Sequence, residues 1–172
     1  MKRMVMLSGC PGSGKSTWIK TYLHTFDGFT SVVSRDEIRF MMVGADEPYF
    51  SREKEVWKKF VSDIKYHLKW SDNVIVDATH INGGSRGKLL RALGDSIKEV
   101  SVEIVVVNVD LETALLQNEL RAGTRSYVPE SVIRNMKGSF TMPTFEEGFD
   151  KIYVYNPYKE GAKYTIFERE DK

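Results

Sequence analysis

The chain reads as an α/β fold, a parallel β-sheet sandwiched by helices, on three observations. Short apolar runs alternate with stretches of helical periodicity, the pattern of repeated βαβ units. The runs are rich in β-branched residues and do not alternate with polar ones, as strands covered on both faces should not. The first run leads directly into a glycine-rich loop and then a helical pattern, the usual strand–loop–helix opening of such sheets. At 172 residues the chain is expected to be a single domain over 1–172, large enough to hold its core without disulfide or metal.

In order, the expected strands are Met4–Leu7, Ser31–Val33, Val74–Val76, Val102–Val109 and Ile152–Tyr155, with Tyr164–Phe167 as a late edge strand. Between the first two, Trp18, Ile19, Tyr22, Leu23 and Phe26 recur at helical spacing. Val56, Trp57, Phe60, Val61, Ile64 and Leu68 do the same within a charged stretch, as do Leu111, Leu115 and Leu116 further on. That periodicity assigns their aromatic rings to the core rather than to base stacking. Pro129, followed by an acidic residue, is expected at the first position of another helix.

Composition narrows the function. Cys10 is the single cysteine, which excludes an internal disulfide and any multi-cysteine zinc site and fits a reducing, cytoplasmic compartment. The initial apolar run stops at Ser8, too short for a signal peptide, and no segment has the roughly 18 apolar residues of a membrane span. With 25 basic and 24 acidic residues, the charge balance argues against a blanket nucleic-acid coat but not against a local basic groove.

The strongest motif is Gly9-Cys10-Pro11-Gly12-Ser13-Gly14-Lys15-Ser16-Thr17, which fits G-x-x-x-x-G-K-[ST]. Glycines let backbone N–H groups curl around a phosphate, and the helix start adds the positive end of its dipole. Gly9, Gly12, Ser13, Gly14, Lys15, Ser16 and Thr17 are therefore expected to bind ATP. In that role Lys15 meets the β- and γ-phosphates, and the Ser16 hydroxyl ligates Mg²⁺.

The second strand runs into Ser34-Arg35-Asp36-Glu37-Ile38-Arg39, at the sheet edge where ligands bind in open α/β folds. Asp36 there is either a general base for an attacking hydroxyl or merely the N-cap of the next helix. Arg39, three residues on, is either a clamp for an anionic part of the acceptor or a surface arginine. The third strand closes on Asp77, followed by Ala78-Thr79-His80, in the manner of a Mg²⁺-assisting aspartate. His80 has no neighbouring ligand set and is expected to pack or hydrogen-bond rather than bind metal. Arg121 and Arg125 lie on a glycine-containing segment between two helical stretches, suited to a lid facing developing negative charge.

Taken together, Gly9–Trp18, Arg35–Arg39, Val76–Asn82 and Phe140–Asp150 resemble the kinase domain of polynucleotide 5′-hydroxyl kinases, including those fused to a 3′-phosphatase. The resemblance implies a P-loop kinase with a helical lid that transfers the γ-phosphate of ATP to nucleic-acid 5′-hydroxyl ends, DNA or RNA, in end repair. It implies Lys15 and Ser16 on the donor phosphates, Asp36 as general base and Arg39 on an acceptor phosphate. Asp77, with Thr79 beside it, falls in the metal shell or the support of the acceptor. Arg121 best matches the lid arginine, but the lid carries two extra residues and Arg125 is the alternative. A D-x-D-G-T phosphatase motif is missing, Asp110-Leu111-Glu112 being the nearest approach, so kinase activity without phosphatase activity is expected. Three other readings compete: a kinase for a hydroxymethylated base in DNA, a kinase for a small alcohol, and a nucleotide-dependent binding module without catalysis.

Overall fold

Residues 1–161 and 163–169 are described here, in a computed structural model. Six strands form one sheet in the order β2-β3-β1-β4-β5-β6. They are β1 (Lys2–Ser8), β2 (Thr30–Ser34), β3 (Asn73–Asp77), β4 (Val100–Val107), β5 (Lys151–Tyr155) and β6 (Tyr164–Glu168). The first five are parallel and β6 runs antiparallel along β5. Strand β4 stops at Val107, two residues before the expected end, because the chain turns through Asn108, whose N–H is taken by Tyr155 O.

The helices are α1 (Lys15–Tyr22), α2 (Arg35–Met42), α3 (Glu53–Trp70), α4 (Gly83–Leu93), α5 (Leu111–Glu119) and α6 (Glu130–Gly138). One sheet face packs Met4, Met6, Val74, Val76 and Ile104 against Val56, Phe60, Ile64 and Leu68 of α3 and Leu89 and Leu93 of α4. On the other face Val5, Leu7, Val105 and Val107 meet Trp18 of α1, with Tyr22 alongside. Both faces of β1 are thus dry, which is why its sequence does not alternate. A third cluster, Cys10, Ile81, Val109, Ala114, Val128 and Ile133, joins the glycine loop to the α5–α6 pair.

Three sequence expectations are adjusted here. Helix α4 has no counterpart among them: its first two residues are glycines, and its start is fixed instead by a capping box between Asn82 and Ser85. Pro129 is the N-cap of α6, one position before the expected first turn. Leu116 points outward at 62% exposure, since α5 is buried mainly through Ala114 and Asn118. Among the described residues, no helix is long and apolar enough to cross a membrane.

Candidate nucleotide and acceptor site

The motif-bearing segments converge at the carboxyl edge of the sheet. From β1 the chain enters the glycine loop, anchored by Gly9 N–H donating to Thr79 O at 2.9 Å. Gly12 and Gly14 have φ of 82° and 101°, a region that L side chains enter only with strain. At Gly12 there is also no room: a Cβ would lie 2.4 Å from Ala114 O of α5. Lys15 Nζ donates to Gly9 O at 2.8 Å and Cys10 O at 3.2 Å, folding the ammonium back over the loop. Desolvation pulls the Lys15 pKa below its ordinary value, against the attraction of Asp77, Cys10 and Asp36. Ser13 Oγ is buried within the loop and has no partner among the described residues.

A cavity of about 260 Å³ opens above this loop. Gly12, Gly14, Lys15 and Ser16 line one side of it, Asp36, Arg39, Asp77 and Thr79 another, and Arg121 reaches it from the lid. Gly9 and Ser13 are buried and do not line the cavity, and Thr17 is exposed on α1 away from it. Cys10, at 3% exposure, is equally enclosed.

On the acceptor side, Ser34 rather than Asp36 caps α2, its Oγ accepting from Glu37 N–H. Asp36 is thereby left for other partners. Its Oδ1 accepts from Tyr49 OH at 2.7 Å and from Arg39 Nη1 at 2.5 Å, while its side chain stays 62% exposed toward the cavity side. Burial, then the negative charge of Asp36, push Tyr49 well above its ordinary pKa, so the phenol keeps its proton and donates it. Arg39 is held rigidly. Its Nε and Nη2 reach both oxygens of Glu53 at 2.6 and 3.0 Å, and its guanidinium lies over the rings of Tyr49 and Phe50 at 4.6 and 5.4 Å. Arg35 shares Glu53 at 3.0 Å. Burial pushes Glu53 up, but the two guanidiniums outweigh it and hold the carboxyl below its usual range.

Asp77 sits across the cavity, where desolvation raises its pKa against the pull of Lys15. No group of three or more His, Cys, Asp or Glu able to hold a metal occurs among the described residues. Mg²⁺ rarely needs one, since it is commonly bound by one or two carboxylates with phosphates and water. The hydroxyl of Ser16 and the carboxylate of Asp77, lining one cavity with the phosphate loop, fit that donor set.

The two lid arginines separate. Arg121 faces the cavity, whereas Arg125 docks on the end of α2, donating to Phe40 O at 3.2 Å and Val43 O at 2.8 Å with its guanidinium over the Phe40 ring. Tyr49, Glu53 and Arg35 were not legible as site residues: Glu53 reads as an ordinary first-turn acid, and the Tyr49 segment carries no periodicity. Trp57 packs against the core as expected and also lines the cavity, with Arg35 at 5.2 Å and Lys88 at 4.5 Å from its ring.

The sheet order, the phosphate loop and the helical lid define a P-loop kinase-like, nucleotide-binding domain. A family model described as an AAA domain matches residues 4–143, and the chain belongs to that family. Among solved structures, it is 26% identical to a chain of the Pnkp1/Rnl/Hen1 RNA repair complex, with a TM-score of 0.68 over 80% of this chain. The match spans 43% of that longer chain. It is also similar in fold to Chaetomium thermophilum Kti12 in complex with ADP-AlF3, at TM-score 0.66 and 17% identity, covering 93% of this chain and 92% of that one. A gluconokinase from Sinorhizobium meliloti matches at TM-score 0.55 and 15% identity, covering 91% and 83%.

Proposed function

We propose that this protein transfers the γ-phosphate of ATP to the 5′-hydroxyl end of a polynucleotide. The observation that carries this reading is Asp36, freed from capping by Ser34 and held by Tyr49 and Arg39 on the same cavity as Lys15 and Ser16. The four sequence stretches that resemble polynucleotide kinases and the 26% identity to a chain of an RNA repair complex support it.

In the proposed reaction, the glycine loop and Lys15 hold the β- and γ-phosphates. Asp36 accepts the proton of the 5′-hydroxyl as its oxygen bonds to the γ-phosphorus. The bond from that phosphorus to the β–γ bridging oxygen breaks, and ADP leaves. Mg²⁺ held by Ser16 and Asp77 would supply positive charge to the phosphates. Arg121 adds charge where the transferring group becomes more negative. Arg39 serves two ends at once. It fixes the orientation of Asp36, and the one N–H not given to Glu53, Asp36 or Tyr49 is left for the phosphate just 3′ of the reacting nucleotide, so that distant binding would become orientation at the reacting oxygen.

Labelled ATP offered in parallel to 5′-hydroxyl DNA, 5′-hydroxyl RNA, a hydroxymethylated duplex with blocked ends, and gluconate decides the matter. Label on the oligonucleotide 5′ ends is the expected result. Transfer only to the duplex bases or to gluconate overturns the reading, and ATP binding without any transfer makes the protein a binding module.

A further inference from the structure

We infer that the outer face of α3 is a track for single-stranded nucleic acid, leading away from the acceptor cavity. The inference rests on the polynucleotide acceptor proposed above and adds a second place where that acceptor is held. Helix α3 begins at the site: Glu53 and Trp57 in its first turns line the cavity. From there it runs to the opposite edge of the sheet, where β3 begins.

Lys54, Lys58, Lys65 and Lys69 recur at spacings of four, seven and four residues, which place them on one side of a helix. None of the four is paired with a carboxylate among the described residues, whereas Lys59, off the stripe, is paired with Asp63 at 2.7 Å. Of the acids on α3, Glu55 lies nearest the stripe. Lys2 adds charge at the far end, its Nζ donating to Leu68 O and Lys69 O at 2.7 and 2.6 Å. A shallow groove lined by Lys58, Val61, Ser62, Lys65, Tyr66 and Lys69 follows the same face.

One large ring, Tyr66 at 61% exposure, lies in the groove beside these cations, whereas Trp70 ends the helix on the flank that carries Lys59 and Asp63. Lysines alone are an ordinary solvated helix face. Unpaired lysines lining a groove with an outward aromatic ring match the two needs of a single strand, charge for its phosphates and a flat surface for a base. An acidic protein would use the charge but not the ring. From Trp57 to Lys69 the helix rises about 18 Å, the length of roughly five stacked nucleotides.

The test is equilibrium binding, by fluorescence anisotropy, of a 12-nucleotide 5′-hydroxyl strand labelled at its 3′ end, in DNA and RNA form, across a salt series. Three variants are compared with the full chain: K58Q/K65Q/K69Q, Y66A, and the off-stripe control K20Q/K98Q. Glutamine keeps good helix propensity at these surface positions, and circular dichroism and melting verify folding. The stripe variant should bind about 10-fold or more weakly, with the salt slope of log K reduced by about 2, as losing three phosphate contacts to a single strand requires. Removing the Tyr66 ring should weaken binding with the slope kept, and the control should bind like the parent. Unchanged affinity and slope in the stripe variant, or an equal loss in the control, overturns the track. Binding through the stripe without end phosphorylation would leave the track standing and remove the proposed reaction. Phosphorylation with stripe-independent binding would do the reverse.

Discussion

His80 combines three unfavourable features: φ of 39° for a residue with a Cβ, an imidazole at 5% exposure, and an Nε2 without a partner among the described residues. What holds it is a set of bonds between β1 and the segment after β3. Its Nδ1–H donates to Leu7 O at 2.6 Å, and its own carbonyl accepts from Ser8 Oγ and Arg86. These bonds fix the start of the phosphate loop relative to Asp77. Burial lowers the His80 pKa from 6.5 to about 4, so the folded ring stays neutral where the unfolded one is protonated. As pH falls from 6.5 toward 4 the unfolded state takes up a proton that the folded state refuses, and stability falls by about 3 kcal/mol over that window. His80→Asn, which tolerates positive φ better and does not titrate, should flatten the difference between urea melts at pH 7 and pH 4.5; an unaltered difference refutes the assignment. Asp36 makes the opposite prediction, for activity rather than stability. Because Ser34 caps α2, Asp36→Asn should leave melting nearly unchanged while turnover drops about 100-fold or more. For Arg39, the readout is the rate ratio of nucleoside 3′-phosphate to bare nucleoside. Arg39→Ala should erode it, and Arg39→Lys should restore it only in part, because an ammonium cannot hold Glu53 and Asp36 as the planar guanidinium does and still reach a phosphate. A ratio near one in the parent protein removes the phosphate-gripping role.

At the scale of elements, the donor and acceptor halves are joined through the α5–α6 pair. Gly12 packs its α-carbon against Ala114 O of α5, and Arg125 fastens the loop after α5 to the last carbonyls of α2. Gly12→Ala combines a positive φ with a backbone oxygen that has no flexible way to retreat, so α5 must move. The expected result is a loss of about 1–3 kcal/mol in stability, with weaker ATP binding by calorimetry and faster amide exchange in α5. Normal ATP affinity in a folded Gly12→Ala protein contradicts this coupling. The sequence made some of these elements plain and hid others for physical reasons. Strands β1, β3 and β4 are buried on both faces, so composition alone exposes them, and the phosphate loop is a contiguous backbone device that a local pattern captures. Helix α4 was invisible because glycines occupy its first turn and a capping box sets its start. The Arg35–Glu53–Arg39 bridge was invisible because it joins residues 14 and 18 positions apart through a loop without periodicity. Trp57 shows a related limit: helical spacing puts its ring on the core, where it packs, but does not show that the ring also forms the wall of an adjoining cavity.

For the molecule as a whole, nucleotide binding should be readable as stability, because the cavity is built from parts of every layer. The loop follows β1, Asp36 follows β2, Asp77 ends β3, and Arg121 comes from the lid. A ligand that bridges these segments binds the folded chain and not the unfolded one. At about 100 times its dissociation constant such a ligand adds about 2.7 kcal/mol to the unfolding free energy. For a chain of this size each kcal/mol moves the midpoint by about 2–4 °C, so saturating Mg·ATP should raise Tm by roughly 5–11 °C. Lys15→Met separates this effect from the fold itself. Lys15 bonds only to carbonyls of its own loop and belongs to none of the three hydrophobic clusters, so its loss should move the ligand-free Tm little. In the proposed reaction its ammonium is the charge on the β- and γ-phosphates, and removing such a group from a transition state is worth about 3–4 kcal/mol, several hundred-fold in rate. The variant should therefore melt near the parent without nucleotide, lose most of the Mg·ATP shift, and transfer phosphate at under one per cent of the parent rate (about that fraction follows from the same energy). Differential scanning fluorimetry over a Mg·ATP series, run beside the labelled-ATP assay, reads all three. A full ATP-induced shift in Lys15→Met, or near-parent transfer, would show that the glycine loop is not where the triphosphate is held.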